Sequence, residues 1–281
     1  MILRKIQKII TSRVWQIFVH TFALIGFFLV TGFFAVKYGL TNTEGIIDRQ
    51  SEYFGKNQTE TKQEKYVWNT GEEWDNFKNA ITKDIKILKR VQSETDIPAR
   101  LIIAPVFVEQ MRLYHTDRAL FKSLFSPLKI LGTQTQFSLG VSGIKQQTAE
   151  QIEKNLKDKT SPYYLGEEYE HYLDFETTNI EEERFKRLTD YKNRYYSYLY
   201  TALYIKELET GWQKSGVDIK NRPDIIATLF NIGFNNSHPH SNPETGGALI
   251  TIQNTNYSFG RLAGEFYASE EMIDFFPHID R

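Results

Sequence analysis

From Val14 to Val36 the chain reads VWQIFVHTFALIGFFLVTGFFAV, with no Asp, Glu, Lys or Arg. Wound as a helix, a run of this length matches a hydrocarbon layer of about 30 Å. Arg4, Lys5, Lys8 and Arg13 precede it, and the first acidic residue is Glu44. That asymmetry keeps the basic tip in the cytoplasm and puts everything from Lys37 onward outside. A cleaved signal peptide is the rival reading. The run is longer than an h-region of roughly 7–15 residues, however, and no A-x-A-like site follows it. An uncleaved single-pass anchor is therefore expected over residues 14–36. Gln16, His20, Thr21 and Thr31 are its polar positions. His20, in mid-span, either marks a partner helix or is a tolerated neutral imidazole.

About 240 residues remain beyond the anchor, enough to bury a substantial core. The chain carries 34 basic and 35 acidic residues, a net charge of −1. This lacks the basic excess of a nucleic-acid binder. There is no cysteine, which removes disulfides and thiolate zinc sites from consideration. Residues 37–70 are polar and weakly periodic, and read as a stalk; residues 71–281 read as one domain.

Within that domain Trp74, Phe77, Ile81, Ile85, Leu88 and Val91 recur at helical spacing, predicting one helix from Glu72. Thr95-Asp96-Ile97-Pro98 opens a second, ARLIIAPVFVEQMRL, apolar almost all round and so expected to be the buried central helix, kinked at Pro105. Residues 146–156 predict a short amphipathic helix, and 158–180 a loop. A long helix is expected from about Glu181 to Gly211. Pro223 opens DIIATLFNIG, and Tyr257 or Ser258 opens a last helix through Phe275. Alternating strand runs are few, so the class is mainly α.

Three features could carry chemistry. Glu109 ends the most apolar helix, where desolvation would raise its pKa and hold a proton on it, as a general acid for glycosidic cleavage requires. The plainer alternative is a glutamate at the solvated helix end, paired with Arg112. The segment Ser138-Leu-Gly140-Val-Ser-Gly143-Ile-Lys-Gln146, followed by Thr148-Ala149, places two glycines ahead of a helix. It is either backbone approaching a ligand or simply a turn. Phe230-Asn231-Ile232-Gly233 is either site-lining or an ordinary helix C-cap. Asp117 is a conceivable second carboxylate or a solvated loop acid. His238 and His240 have metal-ligand residue types but sit in a polar loop. Tyr195, Tyr196, Tyr198, Tyr200 and Tyr204 suit a core with a groove edge. No phosphate loop, HExxH or nucleophile elbow occurs, and no metal or cofactor is expected.

In this order the three features resemble the lysozyme-like domain of soluble-lytic-transglycosylase type, over roughly Ile97 to Phe275. That family has a catalytic glutamate followed by serine, a serine-x-glycine-x-x-glycine-x-x-glutamine segment running into threonine-alanine, and a later tyrosine-asparagine-alanine-glycine. Here Gln110 replaces the serine, Phe230 replaces the tyrosine, and Thr148-Ala149 arrives one residue early. The segments 109–138 and 158–190 are longer than in the family.

The resemblance implies a lysozyme-like fold and cleavage of the bond between N-acetylmuramic acid and N-acetylglucosamine in peptidoglycan. Glu109 would protonate the bridging oxygen, then act as base on the muramic acid's own C6 hydroxyl, closing a 1,6-anhydro ring. Gln146 and Asn231 would donate hydrogen bonds to the sugar. Ser138, Gly140, Gly143, Phe230 and Tyr257 would line the groove. A muramidase on the same fold and a non-catalytic glycan-binding protein are the alternatives. The expected setting is the bacterial inner membrane, with the domain in the periplasm or at the cell exterior and glycan strands as its partner.

Overall fold

The computed structural model describes residues 13–37, 66–114 and 138–279. Helix α1, Arg13–Lys37, is continuous over 25 residues. Ile17, Phe18, Phe22, Leu24, Phe27 and Phe28 are all exposed along it. Two of its polar side chains are answered within the helix: Thr21 Oγ1 donates to the Ile17 carbonyl at 2.9 Å, and His20 Nδ1 lies 2.6 Å from the Gln16 carbonyl. Among the described residues no helix is long and apolar enough to cross a membrane. The span expected over 14–36 is thus not found among the described residues.

The rest of the described chain is mainly α. Trp68 anchors its start. It is fully buried, stacked on Tyr66 and in edge contact with Trp74 and Phe107 at centroid distances of 4.9, 5.2 and 5.0 Å. The domain therefore begins by Tyr66 rather than 71, and the end of the expected stalk belongs to the core. Residues 38–65 of that stalk lie outside the described residues.

The helix expected from Glu72 is two, α2 (Glu72–Lys83) and α3 (Ile85–Thr95). The break is Asp84, whose N–H bonds back to Ile81 O at 2.9 Å in a tightened last turn. Its buried carboxylate accepts from Arg194 Nη1 and the Tyr198 hydroxyl, both at 2.6 Å. Helix α4, Ala99–Tyr114, is the central helix, with Leu101 through Glu109 all buried. It runs as one element through Pro105.

Two short antiparallel hairpins interrupt the helices. β1 (Ser138–Leu139) pairs with β2 (Ile144–Lys145), leading into α5, Gln146–Lys157. The long helix expected over 181–211 is also two, α6 (Ile180–Thr189) and α7 (Tyr195–Lys214). Asp190 Oδ1 accepts from the N–H groups of Lys192 (2.8 Å) and Asn193 (3.1 Å), an Asx turn that competes with helix for the same backbone.

After α8 (Pro223–Ile232), β3 (Leu249–Ile252) and β4 (Thr255–Ser258) form the second hairpin. Gln253 and Asn254 both have positive φ at its turn, which matches the right-handed strand twist. Ser258 then caps α9, Phe259–Ala268.

Helix α9 stops well short of Phe275, where Arg100 claims carbonyls of its last turn and of the segment that follows. The guanidinium donates to Phe266, Tyr267 and Ser269 at 2.9, 2.8 and 2.5 Å, and to Glu271 and Phe276 at 2.9 and 3.1 Å. Replacing Arg100 by Leu would strand these carbonyls, costing about 3–5 kcal/mol of folding stability by urea unfolding. A lysine, with three donors on a point ammonium, should recover little of the loss.

Candidate functional site

The end of α4 and the first hairpin build the site. Glu109 lies in the last turns of α4 and is 3% exposed. Its Oε1 is ion-paired with Arg112 Nη2, one turn on. The plainer sequence reading was right about the partner and wrong about the solvated position. Gly143 has φ +66, and a Cβ there would overlap the Glu109 carboxyl group. Gly140 has φ +63, and a Cβ there would overlap the carbonyl of Leu188 at the end of α6. Both conformations suit glycine. The turn thus threads between a carboxylate and a carbonyl that leave no room for side chains.

Two further bonds hold the turn. Gln110 Nε2 donates to Val141 O at 2.6 Å, joining α4 to the hairpin. Ser142 Oγ lies 3.5 Å from Ser197 O, while Ser197 Oγ donates to Leu188 O at 2.9 Å. Ser138 pairs with Lys145 across the ladder.

Gln146, the first residue of α5, is buried and donates to Glu150 Oε1 at 3.3 Å. From there Arg184 bridges Glu150 (2.9 Å) and Glu153 (2.7 Å), and Tyr200 donates to Glu153 at 2.6 Å. Gln146 therefore enters a polar network between α5, α6 and α7.

The other expected site residues have structural partners. Phe230, 9% exposed, packs on Tyr204 at 5.0 Å. Asn231 Oδ1 accepts from the Ala248 N–H at 2.8 Å, pinning the approach to β3. Tyr257 is buried in β4 with the Arg261 guanidinium 5.1 Å over its ring. Burial, with Glu265 nearby, pushes its hydroxyl up, and Arg261 opposes this. Tyr195 and Tyr198 donate to Glu94 (2.7 Å) and Asp84 (2.6 Å). These rings clamp helices together.

His240 Nδ1 lies 2.9 Å from the His238 carbonyl, and among the described residues no cluster of ligands is placed to hold a metal ion. Asp117 lies outside the described residues. A shallow depression of about 380 Å³ lies away from Glu109, lined by Pro223, Asp224, Thr245, Arg261, Gly264 and Glu265. Its charges are already paired, Asp224 with Arg222 and Arg261 with Glu265.

Sequence reasoning missed Glu207 on α7. It is fully buried; Oε2 accepts from Asn155 at 2.9 Å, and Oε1 has no partner among the described residues. Burial raises its pKa well above the usual carboxylate range, with Asn155 opposing only in part. The available signal was its place one turn from Leu203, Tyr204 and Gly211 on an otherwise apolar helix face.

No protein-family model, no curated protein and no solved structure matches the chain. The candidate site therefore stands on its own geometry.

Glu207 generates a pH prediction. Its folded pKa is raised, so its contribution is fully present below the unfolded value near 4.5. Above that the unfolded chain releases the proton while the folded one retains it, and stability falls as pH rises. Glu207→Gln should therefore be more stable than the unaltered protein at neutral pH in urea titrations. The gap should close towards pH 4.5. A gap independent of pH would refute the assignment.

Proposed function

We propose that the chain is a peptidoglycan lytic transglycosylase of lysozyme-like type, with Glu109 as its acid and base. The supporting observation is the burial of Glu109 at the end of α4 against the Gly143 backbone. A carboxyl held out of water against bare backbone suits a proton-transfer site that opens to a sugar oxygen when the glycan enters.

In this mechanism Glu109 donates its proton to the bridging oxygen as the C1–O bond breaks through an oxocarbenium-like state. The resulting carboxylate takes the C6 hydroxyl proton, and O6 closes on C1. One carboxylate suffices because the nucleophile is carried by the substrate, held within reach. Arg112 Nη2 is ion-paired with Glu109 Oε1, so in this mechanism a glycan has to displace that guanidinium to reach the oxygen.

That same ion pair, with Phe230 sunk in the core against Tyr204, favours a second reading: a domain that binds glycan without cutting it. Digestion of purified peptidoglycan decides between them. Release of anhydro-muropeptides supports the transglycosylase, reducing ends a muramidase, and binding without release the second reading. Glu109→Gln should lower release about 100-fold or more with folding intact; unchanged release in this variant sinks the mechanism.

We further propose that residues 14–36 tether the domain to the inner membrane. At 1.5 Å per residue the 25-residue α1 extends about 37 Å. Its described apolar side chains are exposed, and His20 and Thr21 are bonded to carbonyls of the helix itself. The full chain should stay with the membrane fraction through high-salt and alkaline washes. Release by either wash removes the tether.

A further inference from the structure

The β1–β2 hairpin has only two residue pairs, Ser138–Lys145 and Leu139–Ile144. A two-stranded hairpin of this size is not stable by itself, and both glycines of its turn hold left-handed conformations. Its position must come from tertiary contacts. Towards α6 and α7 these are the fit of Gly140 against the Leu188 carbonyl and the long Ser142–Ser197 contact at 3.5 Å. Towards α4, Gln110 donates to Val141 O at 2.6 Å. Val141 lies between the glycine facing Leu188 and the one facing Glu109. A bond there sets the height of the whole turn over the carboxylate.

We propose that Gln110 is a positioning residue, whose amide clasps the hairpin turn to α4 and so sets the gap between the Gly143 backbone and Glu109. The proposal rests on the cleavage reading above. The clasp acts through the backbone of 140–143. The side chain reaches two carbons further than serine's, and that length lets an amide on α4 reach a carbonyl on the hairpin. Without it the turn is free to lift, and the proton and the glycosidic oxygen lose alignment.

The test compares the full chain with Gln110→Ala and Gln110→Glu. The second variant keeps the size of the side chain, but its ionised carboxylate cannot donate to Val141 O. Both should unfold cooperatively, and amide hydrogen exchange at Gly140–Lys145 should quicken about tenfold or more. Product release from peptidoglycan should fall about tenfold to 100-fold in kcat, with little change in KM and a displaced pH profile.

Unchanged exchange in both variants overturns the clasp. Faster exchange with unaltered kcat and pH profile overturns the link to catalysis. A raised KM at constant kcat would instead make Gln110 a substrate contact, also against the proposal. If the unaltered chain releases no product, the cleavage reading fails and the catalytic role of Gln110 with it. The exchange data then decide separately whether the clasp exists.

Discussion

The rest of the domain depends on the buried guanidinium of Arg100. It sits one residue into α4, 1% exposed, and gathers carbonyls from the end of α9 and the segment that follows it. Burial lowers its pKa, but an arginine keeps its charge in proteins. The desolvation cost is offset only because every face of the planar fork finds an acceptor. The result is a fixed joint between the central helix and the C-terminal segment, which are 166 or more residues apart in sequence.

That joint sets the aromatic core. Phe266 on α9 meets Phe107 on α4 at 4.9 Å, and Trp68 closes on both. With α4 pinned at its first turn by Arg100 and along its length by these rings, its far end is a fixed platform. Glu109 and Gln110 stand on that platform, and the hairpin is laid over them. A two-pair hairpin could not hold that position by itself. Here it borrows rigidity from α4 through Gln110, and from α6 and α7 through Leu188 and Ser197.

Several parts of the fold were legible in the residues. The apolar character of ARLIIAPVFVEQMRL identified the central helix, and the amphipathic pattern of 146–156 identified α5. Other boundaries were not, for a common reason. Each break or end comes from a side-chain hydrogen bond that competes with the helix: Asp84 with distant Arg194 and Tyr198, Asp190 with the backbone of the next turn, and Arg100 with the α9 carbonyls. Helical periodicity continues through Asp84 and Asp190 because it records which face is apolar, and the competing hydrogen bond leaves no mark on it. Likewise the strands of the first hairpin are too short to alternate.

The candidate site divides in the same way. The sequence by itself determined that Glu109 would lie near the end of a buried helix, that two glycines would precede α5, and that an apolar run without charges would occupy the start. Only the tertiary structure decided which of the expected site residues meet. It brought Gly143 onto Glu109, gave Arg112 to the same carboxylate, and made Gln110 a tie to Val141. It also turned Phe230, Asn231 and Tyr257 towards packing partners of their own. The spacing of residues along a chain sets which face of a helix each occupies. Whether two such faces come within hydrogen-bonding distance depends on every side chain packed between them, and no local pattern contains that.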